Sequence, residues 1–395
     1  MGGYRLMRNA GVAPEAIAEA GIEATLDQIG DEATVLALED TTTLSYRHQG
    51  AAELGVIGND AKARSRGFLV HSVLLVDAGT EHTLGLGDQH YWTRTDQAHG
   101  KKHQRKRRAY TDKESYKWQH ASQRLSERLG ARMAHMISVC DRESDVYEYL
   151  DYKRRNGQRF VVRASVDRRL SCPHGRLFET LDAHATRLGD KTVEIPQRGG
   201  RKARRCTLGL SAMRVRLQPP SRRAGAAGEE IEVNAIVARE LDAPAGVKPL
   251  CWRLLTSEPI DEPDQLERVL RYYELRWRIE DYHKVWKSGV GVERQRFQAS
   301  ANLERMLVIT AFVAVRLLQL REAMLADPDE AVDCTGTLEE DQWKVLWVTT
   351  EKTALPERPP GARWAFFALA RLGGFTDTKR TGRPGWATIW DGWFT

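Results

Sequence analysis

Continuous apolar runs of strand length, separated by segments with helical patterns, constrain the fold of this chain most. The runs are rich in β-branched and aliphatic residues, which predicts strands with both faces buried. They lie at 33–38, 68–77, 82–93, 135–140 and 158–164, with helical patterns at 112–129 and 144–155. The order β-β-β-α-β-α-β predicts an α/β layer architecture.

Acidic residues follow two of these runs directly. Glu39 and Asp40 come after ATVLAL, at the predicted carboxyl end of that strand, and Asp141 comes after HMISVC. A single aspartate at a strand end more often forms a turn or caps a helix than binds a ligand. Neither aspartate therefore indicates a site by itself.

The stretch YYELRWRIEDYHKVWK at 272–287 separates into two faces when it is drawn as a helix. The i, i+4, i+7, i+11 stripe predicts a core-facing side, formed by Leu275, Ile279, Tyr282 and Trp286. The opposite side places one carboxylate among cations and a phenol: Tyr273, Arg276, Glu280, Lys284 and Lys287.

Two interpretations of this polar face stay open at the level of the residues. A ligand with divalent cations and phosphates fits it, because the carboxylate binds metal and the cations bind phosphate oxygens. Exposed i, i+4 ion pairs on an ordinary helix, Arg276 with Glu280 and Glu280 with Lys284, account for the same residues.

Three carboxylates on these elements form a candidate metal site: Asp40, Asp141 and Glu280. Three carboxylates neutralise much of the charge of two divalent cations. Metals about 4 Å apart can hold both the attacking and the leaving oxygen of a phosphodiester. The combination predicts metal-dependent phosphoryl transfer, which none of the three residues indicates alone.

Changes in character along the chain predict five segments. Alternating strand patterns and turns rich in Pro, Gly and Arg mark an insertion, with strands at 191–195, 204–217, 230–238 and 250–256. Later helices are predicted from Pro263 to Gly289, at 302–325, and near 338–347, 363–372 and 384–392. The segments are a short N-terminal segment (1–30), the first part of the core (31–164), an inserted β subdomain (165–258), the part that completes the core with the helix of Glu280 (259–325), and a helical C-terminal region (326–395).

The charge of the chain favours a polyanionic partner. The formal net charge is +6 and the isoelectric point is near 9.0, although charged residues of both signs make up 29% of the chain. The run KKHQRKRR at 101–108 holds six cations in eight positions. It predicts a solvated loop that could follow phosphates, and a localisation signal or plain solubility explains it equally.

Cysteine usage and hydropathy predict a cytoplasmic protein. The five cysteines are scattered and form no CxxC pair, which is typical of a reducing compartment. The N-terminus has no signal-peptide pattern, and the most apolar stretch, Leu307–Val315, is too short to span a bilayer.

The spacing Tyr273-x2-Arg276-x3-Glu280-x6-Lys287 is similar to the Y-R-E-K signature of bacterial insertion-sequence DDE transposases of the IS-four type. Five further stretches resemble the same family along nearly the whole chain. They are EDTTTLSYRH at 39–48, VCDRESDVYEYL at 139–150, LLTSEP at 254–259, ERQRFQASANLERM at 293–306 and ARLGGFTDTKRTG at 370–382.

This resemblance implies a ribonuclease-H-like core, a mixed sheet flanked by helices, with an inserted β subdomain. It implies that Asp40, Asp141 and Glu280 form a DDE triad that holds two Mg²⁺ ions, for which Mn²⁺ can substitute. The implied reaction is cut-and-paste transposition by strand nicking, hairpin formation and resolution, and strand transfer. The implied partners are double-stranded DNA, as transposon ends and target, and a second copy of the chain on DNA at the nucleoid.

The resemblance also assigns DNA contacts by position. Tyr273, Arg276 and Lys287 match residues that hold the phosphates of the transposon end. Trp252 matches a tryptophan on which a flipped base stacks, where core packing in a strand is the ordinary alternative. Looser matches to DNA contacts are Lys284, Arg163 and Arg5.

Two departures from the family pattern lead to an alternative function. The family has a helical end-recognition domain ahead of the position of Tyr4 and a dimerisation helix beyond that of Thr395, and we expect this chain to lack both. The alternative is a truncated, non-transposing inhibitor that binds DNA or transposase subunits. A metal-dependent nuclease without transposition is a third possibility.

Overall fold

The computed structural model describes residues 2–47, 54–57, 65–94, 108–195, 202–220, 229–297, 299–326, 332–378 and 382–395. Most of the basic run at 101–108 lies outside these ranges, and only its last residue, Arg108, is described, as an exposed side chain. Within the described ranges, no helix is long and apolar enough to cross a membrane.

The helices and strands follow one another in a mixed α/β order. The helices are α1 (Gly2–Arg8), α2 (Pro14–Leu26), α3 (Lys117–Leu129), α4 (Tyr147–Arg155), α5 (Leu177–His184), α6 (Pro263–Leu275), α7 (Trp277–Lys284), α8 (Ser300–Ala326), α9 (Glu340–Glu351), α10 (Ala362–Leu372) and α11 (Trp386–Phe394). The strands are β1 (Val35–Tyr46), β2 (Arg66–Asp77), β3 (Thr83–Trp92), β4 (Met136–Cys140), β5 (Arg159–Arg163), β6 (Arg169–Cys172), β7 (Gly175–Arg176), β8 (Thr186–Ile195), β9 (Arg204–Leu217), β10 (Ile231–Glu240) and β11 (Cys251–Thr256).

The chain forms two compact units, each of which is discontinuous in sequence. The first unit comprises Met1–Gly30, Thr41–Lys101 and Arg278–Thr395, and the second comprises Asp31–Asp40 and Lys102–Trp277. The division passes through β1 after Asp40 and through α7 after Trp277.

The second unit is built on a large mixed sheet in the order β1-β4-β5-β11-β10-β9-β6-β7, with β8 also paired to β9. The pairs β1–β4 and β4–β5 are parallel, whereas β5–β11, β11–β10 and β10–β9 are antiparallel. Every residue of β4 is buried, which explains its uninterrupted apolar sequence, because a parallel strand is covered on both faces. The predicted α/β class is confirmed, and this mixed sheet with its helices is consistent with a ribonuclease-H-like core.

The segment 165–258 continues this sheet. The predicted strands at 191–195, 204–217, 230–238 and 250–256 correspond to β8, β9, β10 and β11. Strand β11 pairs with β5 on one side and β10 on the other, so the segment's strands extend the sheet of β4 and β5. Helix α5 and the short strands β6 and β7 were missed, because two to eight residues are too few to show a periodic pattern.

The first unit contains the strand order β3-β2-β1, in which the second half of β1 takes part. Strands β2 and β3, predicted at 68–77 and 82–93, pair antiparallel as a hairpin. Its turn is held by Asp77, whose Oδ1 accepts the N–H groups of Gly79 and Thr80 at 2.9 Å and 2.7 Å. The predicted C-terminal helices are present as α9, α10 and α11.

Three predicted boundaries are wrong in ways that affect the site. Strand β1 runs on to Tyr46, so Asp40 lies inside the strand and not at its end. The helix predicted from Asp112 begins at Lys117, and Asp112 lies in a separate 3₁₀ turn; the helix ends at Leu129, before Gly130, whose φ is 55°.

The third wrong boundary concerns the helix predicted to run unbroken from Pro263 to Gly289. It divides into α6, α7 and a π-helical turn at Val285–Gly289. The N–H of Arg276 donates to the Tyr273 carbonyl, three residues back, and Val290 N–H donates to Val285 O, five residues back. Side-chain periodicity does not detect such changes, because they occur without proline and leave the apolar stripe intact.

Candidate active site

Asp40 and Asp141 are neighbours across the parallel pair β1–β4. The register pairs Glu39 with Cys140; Asp40 is the next residue of β1, and Asp141 is the residue directly after β4. Neighbouring strands lie about 4.8 Å apart, so the two carboxyl groups start from adjacent positions on one face of the sheet. Both side chains are half-buried.

The electrostatics of Asp141 reflect this proximity. Burial raises the pKa of Asp141 above its usual value, and the Asp40 carboxylate raises it further. The Glu143 N–H, which donates to Asp141 Oδ1 at 2.8 Å, and the Arg276 guanidinium lower the pKa of Asp141. Two partly desolvated carboxylates that repel each other form a set of donors that a divalent cation would stabilise.

A buried lysine lies on the other face of the same strands. Lys153 of α4 is fully buried, and its Nζ donates to Ser138 Oγ at 2.8 Å and lies 5.4 Å from the ring centre of Tyr149. Burial lowers the pKa of Lys153, and the buried Glu39 carboxylate opposes that shift. Side chains alternate between faces along a strand, so Glu39 points to the face opposite Asp40. Lys153 packs on that opposite face through its contact with Ser138.

Asp145 clamps the loop after β4 to the loop after β5. Its carboxylate accepts the N–H groups of Ser165 and Val166 at 2.7 Å and 2.8 Å and pairs with Arg168 at 2.5 Å. Ser165 Oγ also donates to the carbonyl of Arg142, the residue after Asp141, at 3.0 Å. These contacts fix the backbone that carries Asp141.

Trp252, Tyr273 and Arg276 form an aromatic and cationic group in the second unit. The rings of Trp252 and Tyr273 meet edge to face with centres 5.5 Å apart, and the Arg276 guanidinium lies 5.8 Å from the Tyr273 ring centre. Tyr273 and Arg276 are 3% and 6% exposed, and Trp252 is half-buried. The alternative of an exposed Arg276–Glu280 ion pair is therefore wrong as regards Arg276, which is buried.

Glu280, Lys284 and Lys287 belong to the first unit. Glu280 is half-buried on α7 and Lys284 is exposed. Lys287 lies in the π-helical turn, where its Nζ donates to the Thr43 carbonyl at 2.7 Å and lies 3.8 Å from the Glu293 carboxylate. The predicted core-facing stripe is confirmed, with Leu275, Ile279, Tyr282 and Trp286 all buried.

The two loosely matched arginines belong to different units, Arg163 to the second and Arg5 to the first. Arg163 is the last residue of β5, half-buried and paired in register with Leu254 of β11. Arg5 is an exposed residue of α1 in the first unit. Arg163 directly follows Val162, which pairs in register with Cys140, so Arg163 and Asp141 take neighbouring positions where β5 and β4 end.

The donor set fits a hard divalent cation in part. Asp40 and Asp141 carry carboxylates, the ligands that Mg²⁺ and Mn²⁺ prefer, from neighbouring backbone positions. Among the residues that the structure describes, no group of three or more His, Cys, Asp or Glu side chains is arranged to hold a metal ion. The convergence of Glu280 with the two aspartates therefore stays a prediction.

Sequence reasoning missed Asp145 and Lys153 as buried charged residues beside the strands that carry the aspartates. Asp145 and Lys153 follow Asp141 within one short stretch, but they carry no periodic signal that distinguishes them from exposed charges. Only their burial in the folded chain distinguishes them, and the sequence does not show which charged residues are buried.

Comparison with known protein families agrees with this geometry. A family model described as Transposase DDE domain matches residues 35–316 of the 395. The matched range begins at the first residue of β1 and contains Asp40, Asp141 and Glu280. Enzymes of this family cleave and join DNA strands and generally use divalent metal ions. The chain belongs to the DDE transposase family.

Proposed function

We propose that this chain catalyses cut-and-paste DNA transposition as a transposase of the IS-four type. The observation that carries the proposal is the register of β1 and β4, which sets Asp40 beside Asp141 in a chain that matches the DDE domain. The segment 165–258 is then an insertion between the first and last parts of a ribonuclease-H-like core.

Asp40, Asp141 and Glu280 would hold the metal, as two Mg²⁺ ions or Mn²⁺ in their place. Bound divalent cations supply charge stabilisation at the scissile phosphate and activation of the attacking oxygen. The raised pKa of Asp141 supports the assignment, because a desolvated carboxylate beside another carboxylate has much to gain from a cation.

The proposed reaction consists of phosphoryl transfers at one site. Water hydrolyses one strand at the transposon end, and the freed 3′ hydroxyl attacks the opposite strand to form a hairpin and release the flanking DNA. A second hydrolysis opens the hairpin, and the same 3′ hydroxyl attacks a phosphodiester of target DNA. Each step breaks one P–O bond and forms another, so no redox partner is required.

The cationic and aromatic residues would hold the DNA. Arg276, Lys284 and Lys287 are proposed to bind backbone phosphates with Tyr273, and Arg163 and Arg5 to extend that contact. The half-buried Trp252, edge-on to Tyr273, is proposed to stack on an extruded base. Two copies of the chain would act together on paired transposon ends.

Glu280→Gln tests the function by separating DNA binding from cleavage. Glutamine keeps the shape of the side chain and removes the charge that holds a metal, while the cations that bind DNA are retained. We expect the wild type to nick plasmid DNA with Mn²⁺ or Mg²⁺, and the variant to bind DNA with similar salt dependence without nicking it.

Glu340→Gln is the matched control, because it removes one carboxylate from an exposed i, i+4 pair with Lys344 on α9. It should cleave like the wild type. Equal cleavage by Glu280→Gln and the wild type would overturn the assignment of Glu280. Absence of cleavage by the wild type with any divalent metal, together with suppression of an active relative, would support the inhibitor instead.

A further inference from the structure

Along one edge of the second half of β1, side chains form the hydrogen bonds that a neighbouring strand would otherwise form. The register of β1 with β4 ends at Glu39, and residues Thr41–Tyr46 belong to the first unit. Residues two apart in a strand direct their backbone groups to the same edge, so the Thr43 carbonyl and the Ser45 N–H lie on one side. A neighbouring strand would offer one donor and one acceptor at that position.

Lys287 and Glu293 supply that donor and that acceptor. Lys287 Nζ donates to the Thr43 carbonyl at 2.7 Å, and Glu293 Oε1 accepts the Ser45 N–H at 2.7 Å. The ammonium and the carboxylate lie 3.8 Å apart. The ion pair thus takes the place of a strand residue on the edge of β1.

The backbone around Glu293 is shaped for this contact. Gly291 has φ of 70°, in the left-handed region that favours glycine, at the turn into the 3₁₀ segment Val292–Arg294. The Tyr46 hydroxyl donates to the Val292 carbonyl at 3.2 Å and is buried. Burial, and then the Glu293 carboxylate, raises the pKa of Tyr46, which keeps the hydroxyl as a donor.

We propose that Glu293 is a positioning residue for DNA cleavage, which with Lys287 fastens the segment after α7 to β1. The inference rests on the proposed function, because β1 also carries Asp40 and α7 carries Glu280. Lys287 then has an intramolecular role in addition to any contact with phosphate. A displacement of about 1 Å at reacting groups can cost on the order of 100-fold in rate, so a strand-edge contact of this kind controls turnover.

The pair contributes to geometry more than to stability. The side chains of Lys287 and Glu293 are each 29% exposed, and ion pairs with such access to solvent contribute little to stability. A structural role alone would therefore change thermal stability slightly and leave turnover of the folded enzyme unchanged.

Glu293→Ala and Glu293→Gln test the proposal in the full chain, with Glu340→Gln as the control. Alanine removes both contacts of the carboxylate, whereas glutamine retains an acceptor for the Ser45 N–H. Turnover on plasmid DNA with Mn²⁺, DNA affinity, and hydrogen exchange of the Ser45 amide in metal-free protein are measured for each.

We expect Glu293→Ala to lower turnover by about 10-fold or more, and Glu293→Gln to recover part of that loss. DNA affinity should be unchanged or higher, because Lys287 loses its negative neighbour. Exchange of the Ser45 amide should be faster in Glu293→Ala and near the wild-type rate in Glu293→Gln.

Turnover of Glu293→Ala within about twofold of the wild type would overturn the proposal, as would parallel losses of affinity and turnover in both variants. If Glu293→Ala does not fold, Glu293→Gln tests the acceptor role. Exchange of its Ser45 amide as slow as in the wild type supports that role, and faster exchange overturns it. Absence of cleavage by the wild type would instead contradict the proposed function. The exchange of the Ser45 amide still tests the contact with Glu293 in that case, because it does not require cleavage.

Discussion

Asp40 and Asp141 each follow the last residue that β1 and β4 share in register, Glu39 on one strand and Cys140 on the other. Parallel strands place such residues side by side on the same face of the sheet. The consequence is electrostatic as well as geometric, because the Asp40 carboxylate contributes to the raised pKa of Asp141.

Asp141→Asn should stabilise the metal-free protein near pH 7. Burial and then the Asp40 carboxylate raise the pKa of Asp141, so ionised Asp141 costs folding free energy at pH values above its folded pKa. That cost disappears as the pH falls below the unfolded pKa of about 3.9. Chemical denaturation should therefore show a gain in unfolding free energy for the variant that shrinks toward pH 4.

Adding metal should reverse the order of stability. Mn²⁺ at about 100 times its dissociation constant would stabilise the wild type by about 2.7 kcal/mol, and the variant much less. A variant that is less stable than the wild type in metal-free buffer at pH 7 would contradict this account of Asp141.

Asp145→Ala should be strongly destabilising. The side chains of Asp145 and Arg168 are 0% and 9% exposed, and removing one partner leaves the other charge buried without compensation. Breaking a buried pair in this way costs about 3–5 kcal/mol, which urea unfolding would measure. The control is Asp261→Ala, whose pair with Arg214 is 59% and 62% exposed and should contribute about 0–1 kcal/mol. Similar losses in the two variants would contradict the clamp.

Trp252→Ala should slow hairpin formation and spare the first nick. Loss of stacking by an extruded base costs roughly 1–3 kcal/mol, and the first hydrolysis needs no extruded base. Denaturing gels that separate nicked from hairpin products would measure the two steps. Trp277→Ala is the comparison, since this indole is 42% exposed and lies 5.3 Å from the same Arg276 guanidinium. Equal slowing of both steps in Trp252→Ala would remove the stacking role.

Gly392→Ala should destabilise the packing of α10 against α11. A Cβ at Gly392 would lie 1.8 Å from the carbonyl oxygen of Leu369, so the two helix backbones would have to separate. Overpacking of this kind costs about 1–3 kcal/mol in thermal or chemical unfolding. Gly336→Ala is the matched control, because nothing lies within 4 Å of its added methyl group. Equal stability of the two variants would exclude the close helix contact.

Apolar patterning determined the α/β class, the positions of the main strands and helices, and the buried side of the stretch 272–287. These features are local, because a strand or helix that buries one face carries apolar residues at the period of that element. The register of Asp40 with Asp141 follows only once β1 and β4 are known to be parallel neighbours.

Tertiary structure decided the features that depend on partners distant in sequence. Strand β1 continues past Asp40 because its second half has contacts of its own, among them the Lys287 and Glu293 side chains some 250 positions later. The burial of Tyr273 and Arg276 and the clamp of Asp145 on Arg168 have the same origin. Charged residues carry no periodic signal of such pairing, so only the folded chain shows which charges are solvated and which hold the backbone in place.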